Sequence, residues 1–110
     1  MNAIELMCGD LILVDGRPTR VYGIMERIGR VYDTMTNDIS LKRCKPIPIA
    51  EEILQKNFPT PEEIVWWPLN DGSFRVEMQD DTHLIIGKYN YVHELQHALR
   101  LFGKDGEIKL

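Results

Sequence analysis

The chain has little cysteine, no long apolar run and no broad cluster of positive charge, and each shortage excludes a class of protein. Cys8 and Cys44 stand alone, outside any C-x-x-C pair, so there is no disulfide framework and no paired-cysteine metal ligand set. They read as two reduced thiols, although Arg43 and Lys45 give Cys44 a cationic setting. No apolar stretch approaches the roughly 20 residues that a spanning helix needs, so a membrane partner is not expected. The opening Met1-Asn2-Ala3-Ile4-Glu5-Leu6 has no basic segment ahead of an apolar one. It therefore reads as lacking an export signal, and the chain is expected in the cytoplasm. A duplex-binding protein concentrates basic residues on one face. Here the net charge is −4, with +1 up to Pro48 and −5 from Ile49 onward. Only Lys42-Arg43-Cys44-Lys45 is locally basic, so nucleic acid is not the favoured partner.

What is present is an ordinary globular composition, 44% hydrophobic and 27% charged, so a packed core rather than disorder is expected. At 110 residues the chain suits a single domain over 1–110. Residues 1–48 read as a β-rich, barrel-like half. Asp10–Val14 is a short strand, Asp15-Gly16 a hairpin turn and Thr19–Ile24 the return strand. Arg30–Met35 and Ile39–Cys44 read as further strands, separated by the turn cluster Thr36-Asn37-Asp38. Pro46-Ile47-Pro48 is a stiff connector, because each proline fixes its own φ and biases its predecessor away from helix.

Residues 49–110 read as an α+β half. A helix begins near Ile49, with Glu51 and Glu52 placed well for its dipole, and Phe58-Pro59 closes it. Thr60-Pro61-Glu62-Glu63 has the form of a helix start, yet Ile64-Val65-Trp66-Trp67 has strand chemistry. Both remain open for that segment. Ser73–Met78 alternates as a half-buried strand, and His83–Ile86 returns from it. Asn90 is the expected cap of a final helix in which Val92, Leu95, Ala98, Leu99 and Phe102 form the apolar face. His93, Glu94, Gln96, His97 and Arg100 then fall on a solvated face. Gly103 ends the helix, and Glu107–Leu110 has the chemistry of a short last strand. The fold class is α+β: a small curled sheet, a connecting helix, and a hairpin sheet covered by the last helix.

His93-Glu94-Leu95-Gln96-His97 matches H-E-x-x-H. On a helix the two imidazoles share a face and suit one Zn²⁺, with Glu94 as base on the metal-bound water. A catalytic zinc needs a third protein ligand. The longer zinc-protease pattern fails, because Arg100 stands at its glycine and Gly103 at its last histidine. Asp105 and Glu107 lie just beyond the helix end and would have to fold straight back onto its polar face to serve, and His83 is a further candidate ligand from the upstream hairpin. The amphipathic helix accounts for the same residues without metal, so no cofactor is expected, and zinc with His93, His97 and Glu94 is the alternative.

Pro46-Ile47-Pro48-Ile49-Ala50-Glu51-Glu52-Ile53-Leu54 and Tyr91-Val92-His93-Glu94-Leu95-Gln96 carry a further signal. With the Gly9-Asp10-Leu11-Ile12 opening, they resemble a family of short uncharacterised proteins from gut-type anaerobic bacteria and their phages and mobile elements. Its pattern runs roughly I-x-P-I-P-L-T-E-E-I-L-x-K-x-G-F, then Y-V-H-x-L-Q. Members often carry Gln at the position of Glu94 and Asn at that of His97. The resemblance thus implies a structural or binding role for this helix, since zinc hydrolysis tolerates loss of neither the base nor a ligand. Ala50 departs from the family's threonine cap, and Phe58-Pro59 from its Gly-Phe.

The function expected is a non-enzymatic interaction module of phage or mobile-element origin with a protein partner. Trp66 and Trp67 are its candidate binding residues, with Arg43 and Lys45, since Trp and Arg are enriched at binding centres. A minimal zinc-dependent hydrolase is one alternative. Nucleic-acid binding by the N-terminal half is the other, through Arg17, Arg20, Lys42, Arg43 and Lys45 with Tyr22 and Tyr32 as stacking rings.

Overall fold

The computed structural model describes residues 5–110. The reading of Met1–Ile4 as part of an opening without an export signal lies outside the described residues. The chain parts between Ile47 and Pro48, inside the Pro46-Ile47-Pro48 connector, into two compact units. Among the described residues they hold three small antiparallel sheets and two α-helices, an α+β fold.

The described residues of the first unit form six short strands: β1 (Leu11–Val14), β2 (Arg17–Arg20), β3 (Gly23–Met25), β4 (Arg30–Tyr32), β5 (Asp38–Ser40) and β6 (Cys44–Pro46). They form two sheets, ordered β2-β1-β6 and β3-β4-β5. Asp15 and Gly16 have φ of +51° and +81°, and Val14 faces Arg17 across the turn. This is the two-residue hairpin that Asp-Gly favours, because both central residues need left-handed backbone.

The expected return strand Thr19–Ile24 is two strands in two sheets. Val21 breaks it: its N–H donates to the Asp10 carbonyl and its carbonyl accepts from the Gly9 N–H. The Tyr22 N–H donates instead to the Tyr32 carbonyl, which carries the chain into the second sheet. Ile39–Cys44 is likewise interrupted, by a single 3₁₀ turn at Leu41–Arg43. Ser40 Oγ accepts from the Lys42 N–H there (3.3 Å), the local side-chain bond that lets serine divert a strand. β5 begins at Asp38, inside the expected turn cluster.

The core of this unit is Leu6, Ile12, Val14, Val21, Val31, Ile39, Leu41 and Cys44. Asp10 is fully buried, and its carboxylate accepts from the Met7 N–H at 2.8 Å. The Gly9-Asp10 pair of the sequence motif thus closes a tight turn ahead of β1.

The second unit contains α1 (Glu51–Asn57), β7 (Ile64–Pro68), β8 (Phe74–Gln79), β9 (Leu84–Tyr89) and α2 (Val92–Leu101). Its sheet runs β7-β8-β9, so Ile64–Trp67 is strand, and Thr60-Pro61-Glu62-Glu63 starts no helix. β-Branched and aromatic side chains suit the pleat, and Pro68 is tolerated because β7 is an edge. Phe74, Val76 and Met78 form the buried face of β8, and α2 packs against β9.

Asn90 is not the cap of α2. Tyr91 holds that position, and Glu94 Oε1 accepts from the backbone N–H groups of both Asn90 and Tyr91, each at 2.9 Å. At the other end Gly103 has φ +90°, and the Gly103 and Lys104 N–H groups bond the Arg100 and Leu99 carbonyls. This is the left-handed termination expected of glycine.

Glu107–Leu110 forms no strand. The tail lies along both helices instead. Gln96 Nε2 donates to the Gly106 carbonyl (2.9 Å), and the Asn57 carboxamide both donates to the Lys109 carbonyl and accepts from its N–H, at 2.8 Å each. Ile108 is buried. Gln96 is 0% exposed and His93 only 4%, so the face of α2 expected to meet solvent is largely covered.

Candidate functional site

The alternation of β7, β8 and β9 sends one set of side chains inward and the other to an outer face. The cross-strand register puts Trp67, Arg75 and Lys88 in one row of that outer face, and Val65, Glu77 and Ile86 in the next. Leu84, opposite Gln79, completes it. Trp67 is 39% exposed, Ile86 49% and Leu84 60%. The Arg75 guanidinium lies 5.7 Å from the Trp67 ring centroid and bonds Glu77 Oε1 at 3.2 Å. Lys88 pairs with Asp71. That lysine, followed by the Ser73 hydroxyl and N–H, holds the Asp71 carboxyl well below the ordinary carboxylate range. The outer face is therefore an ion-paired polar centre on β8, flanked by an indole on β7 and aliphatic side chains on β9.

Trp66 points the other way. Its ring meets Phe74 edge-on at 6.3 Å, and its indole N–H donates to the Phe58 carbonyl at 3.2 Å. It also borders a small hollow of about 200 Å³ with Phe58, Pro59 and Pro61. The two tryptophans thus differ: Trp66 is tied into the unit, whereas Trp67 presents its ring to solvent. Arg75, Leu84 and Ile86 belong to the outer face but were not singled out from the sequence. Their signal was the period-two alternation of β8 and β9, legible once Ile64–Trp67 is a strand beside them.

On α2 the His93 and His97 rings are 5.8 Å apart, centroid to centroid, and the Tyr91 ring stacks on His93 at 6.0 Å. Glu94 is turned back onto the helix start as its cap. His83 sits elsewhere, edge-on to Phe102 at 6.2 Å, with its Nδ1 at 2.8 Å from Thr82 Oγ1. Among the described residues, no group of three or more His, Cys, Asp or Glu side chains is arranged to hold a metal ion.

Among the described residues of the first unit, the basic side chains do not all lie on one face. Arg43 is held by both carboxylate oxygens of Asp15, whose carboxyl is lowered chiefly by that bond. The register puts Arg17 opposite Val14, on the inward face of its sheet, and Lys45 opposite Leu13, on the other face. Lys42 is exposed on the 3₁₀ turn. Tyr22 is exposed, while the Tyr32 hydroxyl donates to Met25 Sδ at 3.3 Å. Cys44 is buried and its thiol pushed up, chiefly by desolvation, whereas Cys8 is exposed.

Compared with known proteins, the chain matches no family model, no curated protein and no solved structure. Among the described residues no helix is long and apolar enough to cross a membrane.

Proposed function

We propose that the protein is a non-enzymatic interaction module that docks another protein on the outer face of β7-β8-β9. The carrying observation is Trp67, exposed beneath Arg75 and flanked across the sheet by Ile86 and Leu84. Rigid indole and guanidinium groups gain contact area at low entropy cost, which is why they dominate binding centres. The aliphatic rim favours a partner with its own apolar patch rather than a charged polymer. A phage or mobile-element setting, which the sequence resemblance supports, and a cytoplasmic location belong to the same proposal.

The interaction reading has more support than zinc hydrolysis because Glu94, the residue that would act as base, is turned back onto the helix start, where its Oε1 accepts two backbone N–H bonds. It has more support than nucleic-acid binding because Arg43 is neutralised by Asp15, and Lys45 lies on the sheet face opposite to Arg17.

The test is affinity capture from host cells with the wild-type chain and with Trp67→Ala, followed by cross-linking of the captured pair. Wild type should retain a specific protein cross-linked near Lys88, and Trp67→Ala should lose at least about tenfold in affinity, the ordinary cost of removing an aromatic binding centre. Equal capture by both chains would refute the assignment of this face.

A further inference from the structure

The two sheets of the first unit leave a cleft of about 440 Å³ between them, within the size range of small-molecule sites. One wall comes from β1, β2 and the 3₁₀ turn: Val14, Asp15, Arg17, Thr19 and Arg43. The other comes from the segment between β4 and β5 and from β5 itself: Asp33, Asn37 and Ile39. Val14 and Ile39 are buried members of the core, so the cleft has an apolar side.

The polar groups divide into engaged and available ones. Asp15 and Arg43 satisfy each other through paired bonds. Thr19 Oγ1 donates to the Arg17 carbonyl at 3.1 Å. Among the described residues, the Arg17 guanidinium, the Asp33 carboxylate and the Asn37 carboxamide make no side-chain hydrogen bond or ion pair, although Arg17 lies close enough to Asp15 to help lower its carboxyl, and one Asp33 oxygen is enclosed without a partner. An enclosed carboxylate oxygen without a donor is costly, and such groups in native proteins call for an explanation. The available groups have opposite charge and stand on opposite walls: a cation on β2, and an anion with an amide beyond β4.

This pattern selects a ligand. A simple anion would meet Arg17 but be opposed by Asp33. A simple cation would meet Asp33 but be opposed by Arg17. A small molecule carrying both an anionic and a cationic group satisfies both walls, and an aliphatic substituent on it would contact Val14 and Ile39. We propose that this cleft is a binding site for a small aliphatic zwitterion of the α-amino acid class. The carboxylate is taken by Arg17 and the ammonium group by Asp33, with Asn37 as a second polar contact. The site is in the first unit and is independent of the outer face of β7-β8-β9.

The test titrates the full ¹⁵N-labelled chain, followed by its amide spectrum, with three probes. These are L-leucine, L-leucinamide (no carboxylate) and 4-methylpentanoate (no ammonium group). L-Leucine should give saturable shifts at Arg17, Thr19, Asp33 and Asn37, and each truncated probe should bind at least about tenfold more weakly. Arg17→Met and Asp33→Asn should each weaken L-leucine by a similar factor. Arg17 is exposed on an edge strand, so Arg17→Met tests the site even if Asp33→Asn fails to fold. No saturable shift with L-leucine up to about 50 mM, well above millimolar affinity, would overturn the proposal. Equal binding of all three probes, or undiminished binding by Arg17→Met, would overturn it too.

Discussion

At the scale of single residues, burial separates groups that look alike in the sequence. Cys8 and Cys44 are both lone cysteines, yet one is exposed and the other sits in the core of the first unit with its thiolate disfavoured. Alkylation proceeds through the thiolate. Iodoacetamide should therefore label the native protein once, at Cys8, and twice after unfolding, as read by intact mass. Equal labelling rates in the native state would show that Cys44 is not enclosed. Gly106 is a second case. Its φ is +81°, and a side-chain carbon there would fall 2.8 Å from Arg100 Nε and 3.2 Å from the Gln96 carbonyl. Gly106→Ala should destabilise the protein by about 1–3 kcal/mol, from left-handed strain with a crowded contact. Gln96→Ala should lose a comparable amount, because it removes a buried bond and leaves a void. Urea unfolding of the three proteins measures both effects.

At the scale of elements, Glu94 is a helix cap. Glu94→Ala removes the acceptor of two N–H groups and should cost about 1 kcal/mol in thermal or urea unfolding. Glu94→Gln keeps an acceptor oxygen and should cost less. A metalloenzyme would instead lose activity equally in both variants.

Elements were legible in the sequence where local chemistry was strong. The Asp15-Gly16 turn, the Ser73–Met78 alternation, the Gly103 stop and the helix from Val92 are all present close to where they were expected. Ile64–Trp67 could not be decided locally, because its neighbours on β8 are what make it a strand. The split at Val21 was hidden for a similar reason: its bonds run to Gly9 and Asp10, some eleven residues away, and no pattern within Thr19–Ile24 reveals them. The covered face of α2 was misjudged because His93 and Gln96 are polar. Polar residues are buried when a partner such as the Gly106 carbonyl is supplied, and that partner comes from the tail. The candidate face was half visible. Trp67 stood out by type, while Arg75, Leu84 and Ile86 join it only through strand register.

At the scale of the whole molecule, acid should weaken the fold through three exposed carboxylates. Asp15 is lowered by its bond to Arg43, Asp71 by Lys88 and Ser73, and Asp80 chiefly by the Thr82 N–H. Each native value lies below the unfolded one near 3.9, so the unfolded chain binds protons first. The stabilisation is therefore complete above that value and is lost as pH falls through the native ones. The urea midpoint should hold between about pH 5 and 7 and fall steadily below about pH 4. Asp71→Asn should flatten part of the fall, and added salt should shrink it, because these pairs face water. A midpoint indifferent to acid in that range would show that the pairs contribute nothing.

The tail that lies along both helices also sets an order of events during synthesis. The described core of the first unit lies wholly before Pro48, so its contacts are available while later residues are still being added. In the second unit, Gln96 and Asn57 acquire their partners only when Gly106 and Lys109 leave the ribosomal tunnel. Nascent chains halted just short of those residues should expose the second unit to protease while the first already resists it.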